Sequence, residues 1–130
     1  MFSTRVRIAL AGVTAAGALA LGAVHTAEAK SVSRIGASCS KGTVADMIYL
    51  GSGKKVTLGF GSNDVNSLGT WHVVITDSGA PVLDRTLTPS VPAWTLSTAR
   101  TLTKGTHAIE LQAENLSNGE VCSYSLLNKV

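Results

Sequence analysis

From residue 30 onward, apolar and polar side chains alternate one by one, and no stretch repeats with the 3.6-residue period of a helix. Val56, Leu58 and Phe60 alternate with Thr57, Gly59 and Gly61, while Trp71, Val73 and Ile75 alternate with His72, Val74 and Thr76. His107, Ile109, Leu111 and Ala113 alternate with Ala108, Glu110, Gln112 and Glu114, and Cys122, Tyr124 and Leu126 with Ser123 and Ser125. Successive side chains of a strand point to opposite faces, so each run predicts a strand with one face on a core and one in water. The pattern places strands at 35–40, 45–50, 55–60, 70–76, 82–87, 94–101, 106–114 and 120–127, with helix content close to nil.

Turn chemistry separates the runs at the spacing expected of a sandwich or barrel. Gly51-Ser52-Gly53, Asp77-Ser78-Gly79-Ala80-Pro81 and Lys104-Gly105 each fall between strands. Asn118-Gly119 is the sharpest signal, because both residues tolerate the positive φ of a type I′ hairpin turn, and it is expected to join the last two strands. Thr88-Pro89-Ser90-Val91-Pro92 is excluded from a central strand, since two prolines remove ladder donors.

The first 29 residues have a different character. Arg5 and Arg7 precede an apolar stretch from Ile8 to Val24, and Ala27-Glu28-Ala29 supplies the small-x-small pattern read by a signal peptidase. Residues 1–29 are therefore expected to be a cleaved secretory signal peptide, and residues 30–130 one β-sandwich domain. The alternative, a retained membrane helix, lacks the following Lys/Arg cluster of a stop-transfer segment, and the Gly36-Ala37-Ser38 before Cys39 is no lipobox. Nothing long and apolar recurs, so no membrane span is expected after cleavage.

Cleavage changes the charge and the cysteine chemistry. Losing Arg5, Arg7 and Glu28 lowers the formal net charge from +3 to +2. The remaining basic residues are scattered singly apart from Lys54-Lys55, which argues against a nucleic-acid partner. Cys39 and Cys122 form an even pair in an exported chain and are expected to join in a disulfide. Its loop of 83 residues would contribute up to about 4.5 kcal/mol in the chain-entropy model.

Seven or more short strands in about a hundred residues, a tryptophan in a middle strand, and Leu102-x-x-Gly105-x-His107-x-Ile109-x-Leu111 leading into a terminal hairpin resemble an immunoglobulin-like or fibronectin-III-like β-sandwich. The resemblance implies an all-β, single-domain antiparallel sandwich of about seven or eight strands. Two positions depart from the family pattern. His107 stands where a tyrosine often opens the penultimate strand, and the cysteines sit on the first and last strands rather than bracketing Trp71.

Gly51-Ser52-Gly53-Lys54-Lys55 lacks the spacing of a phosphate loop and predicts a tight turn. His72 and His107 are too few for a zinc site once the cysteines are paired, and His107, on the apolar face of its strand, is expected to be a hydrogen-bonded histidine at the core edge. Glu110 and Glu114 share a face but stand ~13 Å apart at the backbone, beyond glycosidase spacing. No Gly-x-Ser-x-Gly elbow is present. Ser62-Asn63-Asp64-Val65-Asn66 fails the EF-hand count and predicts a solvated turn, and the Asn115-Leu116-Ser117 sequon is expected to be unused behind an alanine-rich leader of bacterial type.

No catalytic residue, metal ligand or cofactor is therefore expected. The chain reads as a secreted, non-catalytic binding or structural module whose partner is an extracellular protein or a cell-surface polymer. The alternative is an inhibitor of an extracellular hydrolase presenting the loop Thr88 to Ala93, whose prolines lower the ordering cost of binding.

Overall fold

The structure is a computed structural model, and it describes residues 24–27 and 34–130. Ten strands account for most of it: β1 (Val24–Ala27), β2 (Arg34–Gly36), β3 (Ser38–Cys39), β4 (Ala45–Ser52), β5 (Lys55–Ser62), β6 (Trp71–Asp77), β7 (Ala80–Leu87), β8 (Trp94–Thr101), β9 (Thr106–Asn115) and β10 (Val121–Lys129). Among the described residues the one departure from strand and loop is a 3-10 turn at Val65–Ser67. The expected signal peptide lies outside the described residues except for β1.

The strands form two sheets. One has the order β1-β10-β9-β6-β7, with β3 also on the β10 edge; the other has the order β2-β4-β5-β8. All pairings are antiparallel except that of β1, which lies parallel to β10 from Val24↔Ser125 to Ala27↔Asn128. The first predicted strand, 35–40, is two short strands, because the chain leaves β4 after Gly36 and reaches β10 by Ser38.

The inward residues are those the alternation selected. Met47, Tyr49, Leu58 and Phe60 of the four-stranded sheet pack with Trp71, Val73, Ile75, Ile109, Leu111 and Leu126 of the other, all at most 2% exposed. Each such side chain gains about 1.5–3 kcal/mol on leaving water, before conformational entropy is charged against it. On the opposite face of β5, glycine serves close approach. A Cβ on Gly59 would stand 2.3 Å from the Leu96 carbonyl oxygen, and one on Gly61 would stand 2.6 Å from that of Trp94. β8 lies too near for any larger residue.

Two turns differ from expectation. The last hairpin is joined at Asn118-Gly119, but only Gly119 has positive φ (80°), within a loop that begins at Leu116, so it is no type I′ turn. Asn115 O accepts from both the Asn118 and Gly119 amides, which winds the chain as a wider turn. The two-residue turn with both φ values positive is Ser78 (51°)-Gly79 (90°), joining β6 to β7. Cys39 and Cys122 are direct cross-strand partners and form the disulfide, tying β3 near the start of the domain to its last strand.

Candidate functional site

The topology brings four connections to one end of the sandwich: residues 40–44, 63–70, 88–93 and 116–120. Side chains stitch them together. Asp64 accepts from the Val44 amide at 2.9 Å and from the Asn66 amide at 2.9 Å. Those two bonds hold its carboxyl below the usual carboxylate range. Thr70 and Thr88 pair through their hydroxyls at 3.0 Å, the Thr70 amide donates to Ser117 Oγ at 3.1 Å, and Leu116 N–H donates to Thr70 O at 2.7 Å.

Beneath the loops lies an aromatic platform. Phe60, Trp71 and Trp94 have ring centroids 5.5–5.9 Å apart. Both indoles are held by one residue: Trp71 Nε1 donates to Ser67 O at 2.6 Å, and Trp94 Nε1 donates to Ser67 Oγ at 2.9 Å. The solvated turn expected at residues 62–66 is thus the rim of this platform, with Ser67 wholly buried.

Glu120 is the buried anchor of the same end. It is fully enclosed, and its carboxylate accepts from the Lys41 amide at 2.9 Å, the Thr43 amide at 3.0 Å and the Thr43 hydroxyl. Burial disfavours its ionisation, but these bonds outweigh that and place its pKa below the ordinary value. Its oxygen also stands within 4.8 Å of both Cys39 and Cys122 sulfurs, a grouping with the spacing of a metal site. Both sulfurs are spent in the disulfide and the carboxylate is occupied by its three donors, so the trio is a structural knot.

On this framework sit Val44, Val65, Leu68, Val91 and Leu116, between 38% and 71% exposed. They are five of the six large hydrophobic residues exposed among the described positions; the sixth, Leu50, belongs to the far end. The charges of these loops are all engaged: Asp64 and Glu120 as above, and Lys41 through its Nζ, which donates to Asn118 O at 2.6 Å. The result is an apolar, internally braced surface with no uncommitted charge.

The candidates from sequence fall in several places. The Thr88 to Ala93 loop crosses between sheets at the apolar end, with Val91 exposed and Trp94 turned into the aromatic platform. Glu110 and Glu114 lie on the exposed face of β9. Asn115 of the sequon is fully buried, its Nδ2 donating to Leu68 O and its Oδ1 accepting from the Ser117 amide. Gly51 to Lys55 is the β4–β5 hairpin turn.

His72 and His107 each meet a carboxylate. His72 Nε2 donates to Asp84 at 2.7 Å on the exposed face of β6 and β7. His107 is 8% exposed, and its Nδ1 faces both Asp77 oxygens, the nearer at 2.7 Å, while its Nε2 faces Thr103 O at 2.7 Å. Both partners of His107 can only accept, so the doubly protonated ring is the form that satisfies both bonds. The bond to Thr103, opposed by partial burial and aided by Asp77, raises its pKa above 6.5. Ser78 Oγ donates to Asp77 at 3.2 Å, yet no nitrogen of His107 is left to take a proton from a nucleophile.

Val91 lies in the loop that the sequence offered as a binding loop, but Glu120 and the exposure of Val44, Val65, Leu68 and Leu116 were not singled out by sequence. Their signal was faint: Val65, Leu68 and Leu116 are apolar residues inside turn-rich segments, outside any alternation. The chain matches no family model, and no curated protein and no solved structure matches it.

Proposed function

We propose that the chain is an exported, non-catalytic binding module of immunoglobulin-like or fibronectin-III-like architecture, which holds an extracellular protein on its apolar loop end. The observation that carries this is the gathering of Val44, Val65, Leu68, Val91 and Leu116 on four cross-braced loops whose charges are all committed. Exposed apolar patches on a folded domain mark interaction sites, and a braced surface loses little entropy when it docks. The matching partner surface is apolar and uncharged at its centre.

The architecture is supported by strand order. From β4 onward the chain crosses between sheets at β5–β6, β7–β8 and β8–β9, so β8 returns to β5 and β9 to β6, as in a Greek-key sandwich. His107 takes over the work of the tyrosine that opens the penultimate strand in the family, bonding back to the backbone four residues upstream at Thr103. Export is supported by the Arg5/Arg7, apolar, Ala27-Glu28-Ala29 series and by the disulfide.

The test is affinity capture from the culture medium and cell surface of the producing organism with the immobilised protein. The variant Val65→Ser/Val91→Ser/Leu116→Ser should lose the captured protein, while Leu50→Ser at the far end retains it. Equal capture by both variants, with both still folded by circular dichroism, overturns the assignment. The hydrolase-inhibitor alternative draws support from Val91, exposed between Pro89 and Pro92 on a loop tied at Thr88 and Trp94. Absence of inhibition across a protease panel at micromolar concentration would remove it.

A further inference from the structure

The opposite end of the sandwich has the reverse chemistry. It carries Lys54, Lys55, Arg100, Lys104 and Lys129, all exposed, which are five of the eight lysines and arginines among the described residues. They come from three stretches of the chain, residues 54–55, 100–104 and 129, which strand pairing brings to one end. Lys55 pairs with Thr101 and Val56 with Arg100 across β5–β8. The Leu102 amide donates to Lys54 O at 2.7 Å, and Gly105 and Val130 exchange backbone hydrogen bonds at 2.9 and 2.8 Å, which brings Lys104 beside Lys129.

Little opposes this charge locally. None of the five is in an ion pair with a described residue: the ion pairs are Arg34–Asp46, His72–Asp84 and His107–Asp77. Asp77, the carboxylate at the β6–β7 turn, is already paired with His107. Glu110 remains, against five cations. Next to the cluster an open groove of about 330 Å³ runs between Leu50, Gly51, Lys55, Thr57, Arg100 and Thr101. Leu50, Thr57 and Ala99 are register partners across three strands, and Lys55 and Thr101 form the next row on the same face, so hydroxyls and a cation line one trough.

We propose that this end binds a linear, phosphate-bearing polyanion of the extracellular surface, with a segment of the polymer in the groove and its phosphates on the lysines and arginine. A linear polymer fits better than a membrane surface, because membrane-binding faces join cations to projecting apolar side chains. Here the exposed hydrophobic residues other than Leu50 stand at the far end of the sandwich. The hydroxyls of Thr57 and Thr101 offer donors between the charges. With the loop end holding a protein, the module would fasten that protein to the polymer. The polyanion site does not depend on the loop end, and either can fail without the other.

The experiment is titration of the exported protein with long-chain inorganic polyphosphate at a series of sodium chloride concentrations. Five phosphate contacts at about 0.7 released counterions each predict a log–log salt slope near −3.5, a loss of roughly 100-fold between 50 and 200 mM salt. Lys55→Gln/Arg100→Gln should reduce the slope to about −2 and weaken binding at low salt by more than about tenfold. Arg34→Gln/Arg85→Gln removes the same charge elsewhere and should leave binding within about twofold. Equal weakening by the two double variants, a slope shallower than about −1, or binding to phosphatidylglycerol vesicles with none to polyphosphate would each overturn the proposal.

Discussion

Replacing Glu120 by alanine removes one acceptor group from three donors at once. The Thr43 amide and hydroxyl are buried, and a buried donor left unpaired costs about 1–3 kcal/mol. The Lys41 amide lies on an exposed residue and can turn to water at little cost. Glu120→Ala should therefore destabilise the domain by about 3–4 kcal/mol, a fall in Tm of roughly 12–30 °C for a chain of this size. Glu120→Gln keeps one acceptor oxygen but loses the charge, and should cost about half as much. Glu114→Ala, on the exposed face of β9, is the reference and should change stability by no more than ~0.5 kcal/mol. Because the folded pKa of Glu120 is depressed, its contribution is complete above the unfolded value near ~4.3 and is lost as pH falls through the folded value. Thermal and urea unfolding between pH 2 and 6 should show wild type losing stability with acid more steeply than Glu120→Gln. Equal stability of Glu120→Ala and Glu114→Ala, or parallel acid profiles for wild type and Glu120→Gln, would refute the assignment of Glu120 as anchor.

His107 supplies the converse pH dependence: its folded pKa is raised, so its contribution is full below about 6.5 and disappears as pH rises through the folded value. Urea midpoints from pH 6 to 9 should fall for wild type and stay level for His107→Gln, and a level wild-type profile would contradict the doubly bonded imidazolium. Gly59→Ala forces a Cβ to within 2.3 Å of a backbone oxygen and should cost about 2–3 kcal/mol, whereas Gly36→Ala, with nothing within 4 Å, should be near neutral in thermal melts. Cys39→Ala/Cys122→Ala should lose about 2–5 kcal/mol by urea unfolding, and thiol titration of the denatured wild type should find no free cysteine.

Much of this architecture is local in origin, and local information is present in the chain before it folds. The two-residue alternation in Val56 to Gly61 or His107 to Glu114 already states which side chains face the core, because strand geometry itself has a period of two. The two prolines of Thr88 to Pro92 remove ladder donors, so its exclusion from a central strand was legible too. The disulfide followed from an even pair of cysteines behind a signal-like leader, with no need to know the path between them. Turn type was different: Asn118-Gly119 and Ser78-Gly79 both tolerate positive φ, and the pairing of the flanking strands decided that the narrow turn falls at the second.

What only the tertiary structure decided is which distant residues share an end. Val44, Val65, Val91 and Leu116 become neighbours because β8 pairs with β5 and β9 with β6, a choice made by packing the whole core. The same pairings gather Lys54-Lys55 and the single basic residues Arg100, Lys104 and Lys129 into one basic end, and seat Glu120 under residues 41–43 as a buried anchor where the sequence displays only an acid after a turn. Pairing partners are set by the free energy of burying both sheets together, a sum over contacts far apart in the chain, and no window of neighbouring residues contains it.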